Sequence, residues 1–454
     1  MVDNPPTLSS MKPATRERRF ALALARPLRK FLKIQAAGGI LLLGATVAAL
    51  VWANSPFSDS YHRIFETMIV VDLGQVELLH VTVGEFVNDA LMALFFFVVG
   101  LEIKREITVG ALRERRAAAL PAIAALGGMV CPALIYFAFN PSGAGVDGWG
   151  IPMATDIAFA VGVVSLLGDR VPSAMKVFLL SLAIVDDIGA IAVIAIFYTN
   201  SISSAWILAS VASVVVVVAM RRAGIYWTPA YVMVGVFLWY AVHESGVHST
   251  IAGVVLGLLT PAHPHIDIEL SKDEVLRTLV GEPNPRTVRQ ANFELKEHIS
   301  VVERLEDLLH PVSSYLIIPI FALANAGIEL STETVSNALT SSVTLGVAAG
   351  LVFGNIVGIT AFTWLSVKSG LTSLPSGATW THVVGLAATA GIGFTVSIFI
   401  AGLAFSDAQL TEAKIGIVGA SVIAAVLGAS ILLRANQVEE VETDDPTLVG
   451  ASAS

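Results

Sequence analysis

Residues 181–200 read SLAIVDDIGAIAVIAIFYTN, an apolar run with two adjacent carboxylates, Asp186 and Asp187, in its middle. A third acid, Asp156, sits in GIPMATDIAFAVG (150–162), and Asp89 and Glu102 fall in another apolar run, with no Lys or Arg at comparable depth. A charged side chain at a bilayer centre costs about 3 kcal/mol on insertion scales, so such residues normally face a wet cavity and serve transport. Acids with no fixed cation beside them need a mobile one. A proton meets that need, because burial and a neighbouring like charge both raise carboxylate pKa values toward the cellular range. A hard alkali cation, Na+ or Li+, meets it too, taking carboxylate and freed carbonyl oxygens as ligands. Ligands for a soft metal are missing. Adjacent residues on a helix lie about 100° apart, so Asp186 and Asp187 cannot both face one ion, and one of them turns to a neighbouring helix. Asp186 or Asp89 also has a plainer reading, as an acid that only joins helices.

The elements that hold these acids follow from composition and charge. Of 454 residues, 55% are hydrophobic and 14% charged, with a mean hydropathy of +0.75, more apolar material than one soluble core uses. The chain reads as an all-α membrane protein. Runs of spanning length fall at 36–53, 85–103, 117–138, 150–167, 174–198, 204–220, 228–242, 246–260, 312–330, 341–367, 383–404 and 413–433, which predicts twelve transmembrane helices. With both ends cytoplasmic, every Lys and Arg except Arg63 and Lys414 falls on the inner side, and omitting any span destroys that alternation. The net charge of -9 hides this pattern. No cleavable signal peptide is evident, and the lone Cys131 reads as packing.

Residues 1–35 form a basic cytoplasmic lead whose stretch 14–33 suits an anionic inner leaflet, or acts only as a topology signal. Residues 36–434 form the helical domain, and the acidic tail 435–454 is expected to be disordered. Within the domain, MIVVDLGQVELLHV (68–81) predicts a small hairpin outside the membrane. The long cytoplasmic loop 261–310 has four histidines without metal-ligand spacing. Pro152 and Thr155 predict an interrupted helix in span 4, as Gly391 and Gly393 do around Thr395 in span 11. Short spans broken in corresponding places of two halves point to an inverted repeat around a midplane site, here spans 3 to 5 against 10 to 12.

The motifs ATDIAFAVG, LAIVDDIGAI, VGLEIKRE, SGVHSTIAGV, FALANAGI and GIGFTVSIFIAGLAF resemble, in order and over about residues 35 to 435, the NhaA family of bacterial Na+/H+ antiporters. The inverted-repeat rule above is itself drawn partly from that family. The resemblance implies two interrupted helices that cross, and an ion site of Asp187 and Asp156 with Thr155 beside them and Asp186 binding or gating. It places Glu102 and Arg105, with Glu306 and His310 of RLEDLLHP, in a cytoplasmic pH-response region. It makes His248 a family histidine that either packs or senses, and the hairpin around Gly74 the contact of a homodimer. It implies a multi-pass protein of the bacterial inner membrane.

One departure stands out. A family lysine in span 10, in a motif like GKPLGI, is replaced in GNIVGI by Asn355. That lysine would offset the partial negative ends of the broken helices, a role left to uncharged Asn355. Protons must then come from carboxylates alone: two per cycle if two of them titrate, one and an electroneutral exchange if only one does. The resulting reading is a secondary antiporter that expels Na+ or Li+ against entering protons by alternating access, not an enzyme, with no cofactor, no nucleotide motif and no nucleic-acid partner. Two other classes stay open: an intramembrane aspartyl protease, for which Asp156 and Asp187 would have to converge on one water, and a passive cation channel.

Overall fold

The computed structural model describes residues 37–73, 76–199, 202–225, 227–262 and 299–435. The basic lead 1–35, the hairpin turn at Gly74, most of the loop 261–310 with its histidines at 263, 265 and 298, and the tail after 435 lie outside them. Among the described residues the chain is almost wholly helical. Eight helices are long and apolar enough to cross a membrane, and two bent pairs bring the number to ten.

The first bent pair is α1 (Ala37–Ala53) and α2 (Ser58–Phe65), which turn by 115°. Strands β1 (Met68–Leu73) and β2 (Val76–Thr82), rich in Val, Ile and Leu, follow and pair antiparallel from Met68 opposite Thr82 to Leu73 opposite Val76. A reciprocal cap between Thr82 and Glu85 then starts α3 (Val83–Thr108). Helices α4 (Arg115–Phe139), α5 (Ile157–Leu166), α6 (Ser173–Phe197), α7 (Ser204–Arg222), α8 (Thr228–Glu244) and α9 (Thr250–Leu259) come next. After the undescribed stretch come α10 (Val301–Asn325), α11 (Thr332–Thr340) and α12 (Ser342–Lys368). The chain closes with α13 (Trp380–Ala390), α14 (Phe394–Ala404) and α15 (Asp407–Arg434).

Two boundaries differ from expectation. The ninth run, expected from 312, is helical from Val301, so the last residues of the expected loop 261–310 belong to α10. The cause is local: the Ser300 side chain accepts from the Glu303 amide while Glu303 reaches back to Ser300, which starts the helix early and puts Glu306 and His310 on it. The eighth run, expected from 246, is helical only over Thr250–Leu259. This short helix is held by close approach, because a Cβ on Gly253 would collide with the Ala93 carbonyl oxygen of α3, and one on Gly257 would lie 2.7 Å from the Phe97 carbonyl oxygen. Small residues let the two backbones meet where no hydrophobic effect drives helices together.

Among the described residues three helices contain a π turn: Val87–Leu91 in α3, Ser313–Ile317 in α10 and Gly350–Gly354 in α12. Such turns free backbone groups and re-aim side chains, and they concentrate at functional sites. Here they carry Asp89, carry Ser313, and immediately precede Asn355.

Candidate functional site at two facing helix breaks

The polar centre lies between two chain breaks. One separates the 3-10 turn Val146–Met153 from α5, with Ala154–Asp156 non-helical, and the other separates α13 from α14, which bend by 44° at Gly391–Gly393. Pro152 supplies no amide for a continued helix. At Gly391 any side chain would run into the Leu351 carbonyl oxygen.

Each break leaves unsatisfied amides on one side and carbonyls on the other. Asp156 serves both sets of amides. Its Oδ1 accepts from Phe159 N at 3.0 Å, capping α5, and its Oδ2 accepts from Thr395 N at 3.1 Å, in the first turn of α14. Thr395 Oγ1 also donates to Oδ2, at 2.6 Å. A carboxylate at two helix N-termini meets both positive dipole ends. The carbonyl ends receive neutral donors: Thr155 Oγ1 gives to Ala390 O at 2.9 Å, Asp156 N to Ile392 O at 2.7 Å, and Ser397 Oγ to Ile151 O at 2.8 Å. Just beyond α6, the Tyr198 hydroxyl donates to Asp147 O at 2.6 Å and accepts from Gly150 N at 3.3 Å. These two bonds pin the 3-10 turn to the end of α6.

The three central acids are all buried but differ in their partners. Asp186 Oδ2 accepts from Thr155 N at 3.0 Å, and its Oδ1 has no partner among the described residues. Asp187, 4% exposed, has no hydrogen-bond donor among them and faces a cavity of about 80 Å³. Asp156, Thr155, Thr395 and Glu102 line the same cavity, and no Lys or Arg does among the described residues. Asp186 is not on its wall.

Other predicted groups lie apart from this cavity. Asn355, 1% exposed, donates from Nδ2 to Leu351 O at 3.2 Å, a carbonyl of its own helix's π turn. Asp89 is held elsewhere: its Oδ1 accepts from Ser249 Oγ at 3.1 Å and its Oδ2 lies 3.7 Å from His243 Nδ1. His248 is nearby, its ring edge-on to Phe399 at 5.1 Å and its Nδ1 3.2 Å from Thr250 Oγ1. At the other mouth, Arg105 on α3 is ion-paired with Glu306 on α10, and His310 Nε2 lies 3.9 Å from Glu102 Oε1. A second cavity of about 230 Å³ is bounded by Arg105, Glu306 and His310, and His310 borders both cavities.

Neutral groups are what sequence reasoning missed. Thr395 and Ser397 carry no charge, and their partners are 239 and 246 positions away. Only their position just after Gly391 and Gly393 hinted at a role.

A many-helix bundle with acids enclosed at facing breaks defines the class: a multi-pass membrane protein of the ion-transporter kind. The chain belongs to the Na+/H+ antiporter 1 family, whose sequence model matches residues 29–432, that is, to the NhaA antiporters. The Na+/H+ antiporter NhaA 3 of Frankia alni is 46% identical over 411 residues, covering 90% of this chain and 89% of that protein. NhaA 2 of Sorangium cellulosum is 46% identical over 426 residues, 91% of each chain. NhaA of Anaeromyxobacter sp. is 44% identical over 442 residues, 95% of this chain and 96% of that protein. All three are named as transporters, which sets the protease reading aside.

Proposed function

We propose that this protein exchanges Na+ or Li+ for H+, with Asp187 as the proton carrier and Asp156 as the fixed charge of the cation site. The observation that carries the reading is the unequal satisfaction of two acids on one cavity. Asp156 accepts three hydrogen bonds, two of them from Thr395, and hydrogen bonds of that kind favour the ionised form. Asp187 has no such donor among the described residues, so a proton or a cation must neutralise it. Cation entry displaces the proton, and re-protonation releases the cation. Since one carboxylate cycles and Asn355 cannot carry a proton, the exchange is one for one and electroneutral.

Alternating access takes place around the facing breaks, which we read as two crossing helices of an inverted repeat. The twelve spans comprise the ten of sufficient length together with α8 and α9. The inner route runs past His310, and Glu102, Arg105, Glu306 and His310 set the pH response there. With Thr155, Ser397 and Asp156 N covering the broken carbonyl ends, the dipole task first given to Asn355 is shared among neutral donors. Met68, Val70 and Val71 of β1 are exposed apolar residues and suit a hairpin contact between two copies. The protein sits in the bacterial inner membrane with both ends cytoplasmic.

The test is Na+-induced fluorescence dequenching in everted vesicles together with a potential-sensitive dye in proteoliposomes. Saturable exchange that vanishes in Asp187→Asn is expected, with no charge movement. Unchanged exchange in that variant would refute the site, and charge moved per Na+ would refute the stoichiometry. Conductance without saturable exchange would favour the channel.

A further inference from the structure

We propose that Thr395 is a ligand of the transported cation, through its hydroxyl oxygen, and not merely a brace for the helix break. The inference rests on the antiport reading and adds a group to its site. Thr395 lines the cavity with Asp156, Asp187, Thr155 and Glu102, is 3% exposed, and stands in the first turn of α14.

The argument turns on where the hydroxyl hydrogens go. A threonine hydroxyl has one hydrogen to give and two lone pairs to offer. At Thr395 the hydrogen is committed to Asp156 Oδ2 at 2.6 Å, and at Thr155 it is committed to Ala390 O at 2.9 Å. Neither hydroxyl can donate to anything entering the cavity, so both are preset as acceptors. Two acceptor-only hydroxyls beside the carboxyl groups of Asp156, Asp187 and Glu102 form an oxygen-rich side of the cavity that suits a hard cation, with Ser313, Ser314 and His310 also on its wall. Ser397 makes a useful contrast two residues on: its hydrogen is likewise spent, on Ile151 O, but it does not border the cavity. Thr395 also has a second hold on Asp156, through its amide at 3.1 Å, and that hold survives any side-chain replacement. The hydroxyl can therefore be removed while the break and its capped amide remain.

The test uses the full-length chain in proteoliposomes, with Na+ and Li+ concentration dependence measured at one fixed pH. Thr395→Val removes the oxygen while keeping the shape, and Thr395→Ser keeps the oxygen. Thr395→Val is expected to raise KM for both ions at least about tenfold, the effect of losing roughly one charge-assisted contact. Thr395→Ser is expected to restore KM to near the wild-type value. A wild-type KM in Thr395→Val would overturn the proposal, as would a Ser variant as impaired as the Val one. If Thr395→Val does not fold, Thr395→Ala in the same assay decides by the same criteria. Loss of exchange in the wild type itself would sink the antiport reading instead.

Discussion

Replacing Asp156 or Asp187 by alanine should abolish exchange in both cases yet have very unequal effects on stability. Asp156 caps α5 through Phe159 N and accepts two more hydrogen bonds from Thr395. A lost N-cap costs about 1 kcal/mol, and each lost hydrogen bond to a charged group about 1.5 kcal/mol or more. Asp156→Ala should thus lose about 4 kcal/mol, with buried amides left bare at two helix starts. Asp187 has no donor to leave behind among the described residues, so Asp187→Ala removes a buried acid without orphaning a partner there and should change stability by less than about 1 kcal/mol. Thermal unfolding of detergent-purified protein reads the difference, as a fall in Tm of roughly 5 °C or more for Asp156→Ala and none for Asp187→Ala. Equal Tm values for the two variants would refute the division of labour between the acids.

Gly391→Ala should eliminate exchange in vesicles, because the new Cβ meets the Leu351 carbonyl oxygen and forces the break apart; near-normal rates would show that the break tolerates movement. Arg105→Ala leaves Glu306 without its ion-pair partner and should cost about 2 kcal/mol, below the usual loss for a buried pair because Arg105 is partly exposed. A double variant with Glu306→Gln should recover part of that Tm loss. Asn355→Lys places a fixed cation in the bundle, and its exchange profile, followed by dequenching from pH 6 to 9, should move to lower pH; an unmoved profile would show that position 355 does not act on the acids.

The deep acids and both breaks were legible because each departs from its surroundings: Asp156, Asp186 and Asp187 by charge, Pro152, Gly391 and Gly393 by backbone chemistry. Which acid does what was not legible, since Asp186 and Asp187 are equivalent in sequence and separate only when Thr155 N finds one of them. Asp89 counts as deep, yet it bonds Ser249 and lies beside His243 and does not line the cavity of the other acids, a distinction that depth along an apolar run does not contain. The early start of α10 was present in the SVVE pattern at Ser300, a capping signature inside a stretch taken for loop because it is polar. The bond from Asn355 to the Leu351 carbonyl of its own helix is not contained in the sequence, because it depends on how the π turn before it presents that carbonyl.

Proton release on cation binding is the most direct test of the central claim. Purified protein in weakly buffered detergent is mixed with NaCl or LiCl, near the lowest pH at which vesicles exchange, and the pH change is recorded. The account predicts one proton released for each cation bound by the wild type and none by Asp187→Asn. Cation binding without proton release, or release undiminished in Asp187→Asn, would contradict it.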